Sequence, residues 1–297
     1  MKRYLLICLF ALAVAPELVS AQSFYAMRRQ RSLIFVGGVG TASYLGELAN
    51  PGDYLDAEPT INLGLQYYIN RQISIRADVT WFQLSGSDAK ADEASRKKRN
   101  LNFYSNNFEM SVVGMYNFYP HGRTFYQRPA FNFYGFAGIG LMYFNPKTDY
   151  QGKSYSLHDL KTELVSYSTL TPVIPAGLGV RFKLGPFMNL SFEGGYRLTF
   201  TDYLDDVSTI HNDASKFSDP IAAALSDRRG ELNPPAPLAA DGTQRGNPKA
   251  NDAYILYNVK LEYYLPGNFF QSNRGPKTIK QNRKAFYRYN KRGGLRK

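Results

Sequence analysis

Apolar and polar residues alternate strictly in eight stretches between Ser32 and Leu265, joined by links that run long, short, long, short, long, short, long. Each stretch is long enough for the ~9–11 residues that a tilted strand needs to cross a hydrocarbon layer, and none supplies the ~20 apolar residues of a spanning helix. In lipid every backbone N–H and C=O has to be paired, so strands that cross must close on themselves. The pattern predicts an all-β fold, an eight-stranded antiparallel transmembrane β-barrel of outer-membrane type over residues 32–265.

The faces follow from the period of two. In the second stretch Ile61, Leu63, Leu65, Tyr67 and Ile69 oppose Thr60, Asn62, Gly64, Gln66 and Tyr68. In the third, Ile73, Ile75, Ala77, Val79 and Trp81 oppose Ser74, Arg76, Asp78 and Thr80, after a tight turn at Asn70-Arg71. The apolar sets are predicted to face lipid and the polar sets the lumen. Only the first stretch, Ser32 to Tyr44, has blurred faces, where Gly37, Gly38 and Gly40 suit a bend or a close approach of strands.

The inward sets collect nine charges: Arg76, Arg181, Lys183, Arg197 and Lys260 against Asp78, Glu109, Glu193 and Glu262. An eight-stranded barrel is only wide enough for its own side chains, and charges in so dry a space must be paired. A lumen plugged by ion pairs is therefore expected rather than an open pore. Short turns mark the periplasmic side of such barrels and long loops the exterior. Asn70-Arg71, Tyr119 to Pro129 and Gly185-Pro186 are then periplasmic. Leu45 to Glu58, Ser85 to Leu101, Asn145 to Leu170 and Thr201 to Asp252 face outward.

Composition changes the picture at the two ends. Lys2 and Arg3, an apolar run from Tyr4 to Ala15 and the small-residue site Val19-Ser20-Ala21 read as a signal peptide over residues 1–21. Residues 22–31 then form a short periplasmic segment. Cys8 lies inside the signal, so cysteine chemistry is excluded from the mature chain. The basic balance of the whole chain, net charge +12, belongs to residues 266–297. That tail carries Arg274, Lys277, Lys280, Arg283, Lys284, Arg288, Lys291, Arg292, Arg296 and Lys297 with no acidic residue, punctuated by Phe269, Phe270, Phe286, Tyr287 and Tyr289. An even strand number puts it in the periplasm, where nucleic acid is not an expected partner. Peptidoglycan or anionic headgroups would hold it by charge alone. A docking segment would use its aromatics as anchors on a protein partner.

Candidate chemistry is sparse. His211 lies close in sequence to Ser208, Asp205 and Asp206, a weak hint of rim catalysis; His121 falls in a periplasmic turn and His158 in an exterior loop. No enzyme activity and no cofactor are expected. The run Thr201, Asp202, Tyr203, Leu204, Asp205, Asp206 follows the seventh stretch at the exterior rim. Its carboxylates could ligate a hard cation, but aspartates also cap loops by accepting backbone N–H groups. Capping is the reading preferred, with no metal assigned.

Four motifs, GVGTASYLGEL (Gly38 to Leu48), RNLNFYSNNFE (Arg99 to Glu109), FAGIGLMYFNPK (Phe136 to Lys147) and RLTFTDYLDDVS (Arg197 to Ser208), are joined by DAYILYNVKLEYY near the end. Together they resemble the PorG-like outer-membrane barrel family of the Bacteroidetes type IX secretion system. Glu47 stands where that resemblance leads one to expect aspartate. The resemblance implies a non-enzymatic barrel that works with a periplasmic ring of PorK/PorN-like proteins in protein export, and the basic tail, Arg274 to Arg292, is the candidate contact with that ring. A solute channel or a surface-binding barrel unrelated to secretion is the alternative.

Overall fold

The structure, a computed structural model, describes residues 31–50, 57–122 and 125–266. The expected signal peptide, residues 22–30 and all of the basic tail beyond Pro266 lie outside the described residues. Eight long strands form the barrel: β1 (Leu33–Leu45), β2 (Glu58–Tyr68), β3 (Ile73–Ser87), β4 (Asn102–Asn117), β5 (Phe131–Tyr143), β8 (Leu170–Lys183), β9 (Met188–Thr199) and β10 (Ala253–Tyr264). Neighbours in the chain pair antiparallel, β10 pairs with β1, and the ring is closed with no free edge among the barrel strands. Two short strands, β6 (Pro146–Tyr150) and β7 (Lys153–Ser156), make a hairpin that continues the sheet above the end of β4.

Alternation along every strand sorts into an outer and an inner face. Ile61, Leu63, Leu65, Ile75, Val79, Met110, Val112, Ile139, Leu141, Leu178, Phe192, Leu198, Val259 and Leu261 all lie exposed on the outside. Partners such as Asn62, Gln66, Arg76, Glu109, Arg181, Glu193 and Lys260 are buried inside. Aromatic rings edge the lower part of this apolar belt, with Tyr116 against Phe118 and Phe131 against both Tyr119 and Phe133. No described helix is long and apolar enough to cross a membrane, so any crossing is made by the strands.

The glycines of β1 are explained by the register. Gly40 pairs with Asn258 on β10, and a Cβ there would sit 1.8 Å from the Tyr257 carbonyl oxygen. The two backbones approach too closely for any side chain, which is the steric condition for closing the barrel at this seam.

Four connections leave the rim opposite the short turns and pack into a cap. Helix α1 (Ala94–Arg99) sits in the second long loop and ends at Asn100 in the left-handed region, φ 58°. Helix α2 (Leu157–Leu160) follows the β6–β7 hairpin. Helix α3 (Pro220–Ser226) begins on Asp219, whose side chain accepts the Ile221 N–H at 2.8 Å, with proline at the first helical position. The apolar core of the cap is continuous with the upper lumen: Leu157, Leu204, Val207 and Leu225 pack with Phe82, Leu84, Phe103, Met142, Tyr254 and Leu256. Cap and barrel therefore share one core. At the opposite rim β1 begins beside the end of β10, with the Leu265 N–H donating to the Leu33 carbonyl at 3.0 Å.

Candidate functional site

The inward-facing charges meet in the lumen in three groups. Nearest the short turns, the Arg181 guanidinium bonds Glu262 at 2.7 Å, the Tyr68 hydroxyl at 2.9 Å and the Asn117 side-chain carbonyl at 2.7 Å. Asn189 donates to the same Glu262 at 2.9 Å. At mid-height Arg76 lies between Asp78, 2.7 Å away, and Glu193, which it holds by both of its terminal nitrogens. Glu193 also takes the Lys260 ammonium at 2.6 Å and the Tyr134 hydroxyl at 2.8 Å. Higher up, Arg197 faces Glu109 at 3.5 Å, and Tyr254 donates to Glu109 at 2.8 Å. Apolar side chains fill the space between these groups, among them Val113, Met115 and Phe136 at mid-height.

Lys183 departs from the expectation. It is the last residue of β8, where the lumen opens at the short-turn rim, and its exposed ammonium donates to the Tyr126 carbonyl at 2.9 Å. A buried cation at this mouth is Arg128 instead. Its guanidinium bonds Asn189 at 2.6 Å and the carbonyls of Gly185, Pro186 and Met188, and lies 4.7 Å over the Tyr264 ring. Arg128 comes from an irregular turn with no period to read, so its inward aim has no signal in the sequence.

In the cap the rim motif is spread over several tasks. The Asp205 side chain accepts the Val207 N–H at 2.9 Å, the local capping bond expected of such a residue. Asp206 accepts the Tyr167 hydroxyl at 2.8 Å and the Thr162 hydroxyl, and Tyr203 stacks on Tyr167 at 4.5 Å. The Thr201 hydroxyl accepts the Tyr203 N–H at 3.2 Å. Asp202 does none of this: it is buried, and neither of its carboxylate oxygens has a hydrogen-bond partner. It lies with Glu47 and Asp252, one oxygen from each within 4.8 Å of the others.

Two further ion pairs tie the loops together, and neither was legible beforehand. Glu163 accepts the Ser208 and Thr209 N–H groups at 2.9 Å each and the Arg245 guanidinium at 2.8 Å. Arg99 bonds Asp88 at 2.7 and 2.9 Å and reaches the Arg245 carbonyl.

The histidines do not form a nucleophile–base pair. His121 lies against Tyr68 at 3.4 Å, and His158 against Asp159 at 3.1 Å. His211 is buried, its two ring nitrogens unpartnered, so Ser208 and the aspartates near it in sequence do not engage it. Burial and the Arg245 charge push His211 down to about 4, with Arg229 and Arg99 adding to the effect and Asp227 opposing it. A histidine lowered from ~6.5 in the unfolded chain favours the folded cap above that pH, and the contribution is lost as pH falls toward 4. Hydrogen-exchange protection factors across residues 209–246, taken against the intrinsic rate at each pH, should therefore fall between pH 7 and pH 4.5. Replacing His211 by phenylalanine should flatten that part of the response.

Residues 12–219 match the family described as a domain of unknown function, DUF6089. The chain belongs to that family. No curated protein matches this DUF6089 chain. Among solved structures it is similar to Neisserial surface protein A, with 11% identity, 78% of this chain and 97% of that one covered, and a TM-score of 0.40. It is similar also to Ail, the attachment invasion locus protein of Yersinia pestis, at 10% identity, 79% and 99% coverage and a TM-score of 0.39. The outer membrane enzyme PagL gives 13% identity, 78% and 99% coverage and a TM-score of 0.32.

Proposed function

We propose that this DUF6089 protein is an outer-membrane anchor, closed to solutes, that attaches the periplasmic ring of a type IX secretion machinery to the membrane. The filled lumen carries the first half of this reading. Arg76, Glu193 and Lys260 paired across the middle of the barrel, and Arg128 over its mouth, occupy the lumen where a solute or an exported chain would have to pass. The apolar belt on the outside of all eight strands supports a lipid environment. The secretion pathway and PorK/PorN-like partners rest on the sequence motifs that resemble the PorG-like family.

Orientation supports a periplasmic attachment point. Short turns take the periplasmic side of outer-membrane barrels, and β1 begins and β10 ends at the rim of the short turns. A tail beginning at Pro266 thus starts where ring proteins would be met, and its cations and aromatics from Arg274 to Arg292 supply the contact.

Purified protein in planar bilayers is expected to give no single-channel steps. Affinity purification of the full chain from native envelopes should recover ring proteins, and a chain ending at Pro266 should not. Stepwise conductance would overturn the closed anchor, unchanged recovery after truncation would remove the tail as the contact, and absence of ring proteins from the full-chain sample would remove the pathway.

A further inference from the structure

Glu47, Asp202, Asp205 and Asp252 come from two loops some 150 residues apart and meet at the cap end of the lumen. Glu47 follows β1, Asp202 and Asp205 follow β9, and Asp252 precedes β10. One oxygen each from Glu47, Asp202 and Asp252 lies within 4.8 Å of the other two. Asp202 is 7% exposed with both carboxylate oxygens unpartnered, and Asp205, 1% exposed, has its Oδ2 unpartnered. Buried carboxylate oxygens with nothing to bond are costly, so their presence calls for a ligand that supplies positive charge.

We propose that Glu47, Asp202 and Asp252, with Asp205 behind them, bind one hard divalent cation of the calcium class, which pins the first and fourth long loops together over the barrel mouth. The donor set is all carboxylate, the chemistry that hard cations select. Carboxylates gathered from separate loops suit calcium, which takes irregular shells at about 2.3–2.6 Å. Magnesium demands a tight octahedron at about 2.0–2.1 Å.

The remaining bonds of these carboxylates hold them in place and leave the centre open. The Asn247 N–H bonds Glu47 Oε1 at 3.0 Å. Asp252 is held by the Tyr44 hydroxyl at 2.7 Å and the Leu204 N–H at 3.0 Å. Gly46 makes room for this: a Cβ there would stand 2.0 Å from Asp252 Oδ1 and 1.9 Å from the Tyr44 hydroxyl.

Arg99 does not neutralise the group. It exerts its charge on Glu47 and Asp205, but its guanidinium is already bidentate on Asp88. Carboxylates grouped this closely carry their charges together only with a counter-ion among them.

The test is calorimetric titration of the full chain in detergent micelles, stripped with EDTA, with calcium chloride and separately with magnesium chloride, followed by thermal melting of each sample. One calcium per chain, with a raised melting temperature and at least tenfold weaker magnesium binding, is expected. Asp202→Asn should weaken calcium binding at least tenfold, yet melt no lower than the stripped wild type because it relieves repulsion. Glu47→Gln, at a half-buried position, should show the same loss of binding. No calcium heat and no melting shift in the stripped wild type would overturn the site, as would wild-type affinity in both variants. Magnesium binding as tight as calcium would overturn the calcium class.

Discussion

Replacing Glu193 by leucine should destabilise the folded barrel by about 3–5 kcal/mol, the range for removing one partner of a buried ion pair. Glu193 is the shared counter-charge of Arg76 and Lys260 and the acceptor of the Tyr134 hydroxyl. Without it, two cations stay buried with only Asp78, 2.7 Å from Arg76, to compensate them. The loss is one of desolvation, so it should be largely reversed when the cations go too. A triple variant with Glu193→Leu, Arg76→Met and Lys260→Met is expected to recover most of the stability, because a dry apolar filling avoids the cost of stripping ions of water. Trp81, the chain's single tryptophan, lies on the outer face of β3 and reports unfolding in urea from detergent or bilayers. A single variant as stable as the wild type would show that water, not Glu193, compensates those cations.

Glu163→Leu should open the cap while the barrel stays closed. The substitution removes the acceptor for two backbone N–H groups and for Arg245, which lies as deeply buried as Glu163 itself. Unpaired buried donors cost about 1–3 kcal/mol each, so local opening should become cheaper by at least about 3 kcal/mol. Hydrogen exchange at residues 201–252 should then rise on the order of 100-fold, at 1.4 kcal/mol per factor of ten. Burial disfavours the charge on Glu163, but Arg245 and the donors of Ser208 and Thr209 outweigh it and hold the acid below the usual carboxylate range. A depressed folded-state pKa gives stability that is present above the unfolded value and lost as pH falls through the folded one. Wild-type cap protection should therefore drop in acid, and Glu163→Leu should lack that component. Unaltered exchange would show that the apolar core holds the cap alone.

The lumen was legible and the cap was not, for a physical reason. A strand in lipid repeats every two residues, so Arg76, Asp78, Glu193 and Lys260 announce their inward direction from local sequence. Where the belt of apolar residues ends, the signal ends with it. β3 runs on past Trp81 to Ser87 with Gln83 and Ser85 on its outer face, and β4 starts at Asn102, ahead of the first outward phenylalanine, Phe108. The β6–β7 hairpin, in a stretch read as plain loop, has no alternation of apolar residues because neither face meets lipid. The side chains of Arg128, Glu163 and Arg245 bond groups 39 or more positions away in the chain, with no periodic frame around them. Asp202 was singled out by its motif, but its company with Glu47 and Asp252 depends on strand order at the β1–β10 seam, which only the closed barrel reveals.

The β1–β10 seam also decides how such a protein can change. β1 begins and β10 ends at the same rim, side by side, while the connections that build the cap leave from the other. Sequence can be appended at either end without altering the face shown by the long loops, and those loops can be rewritten without moving the ends. The two rims of the barrel are thus separately editable, so relatives that share it can diverge in what they show at one rim while keeping the other unchanged.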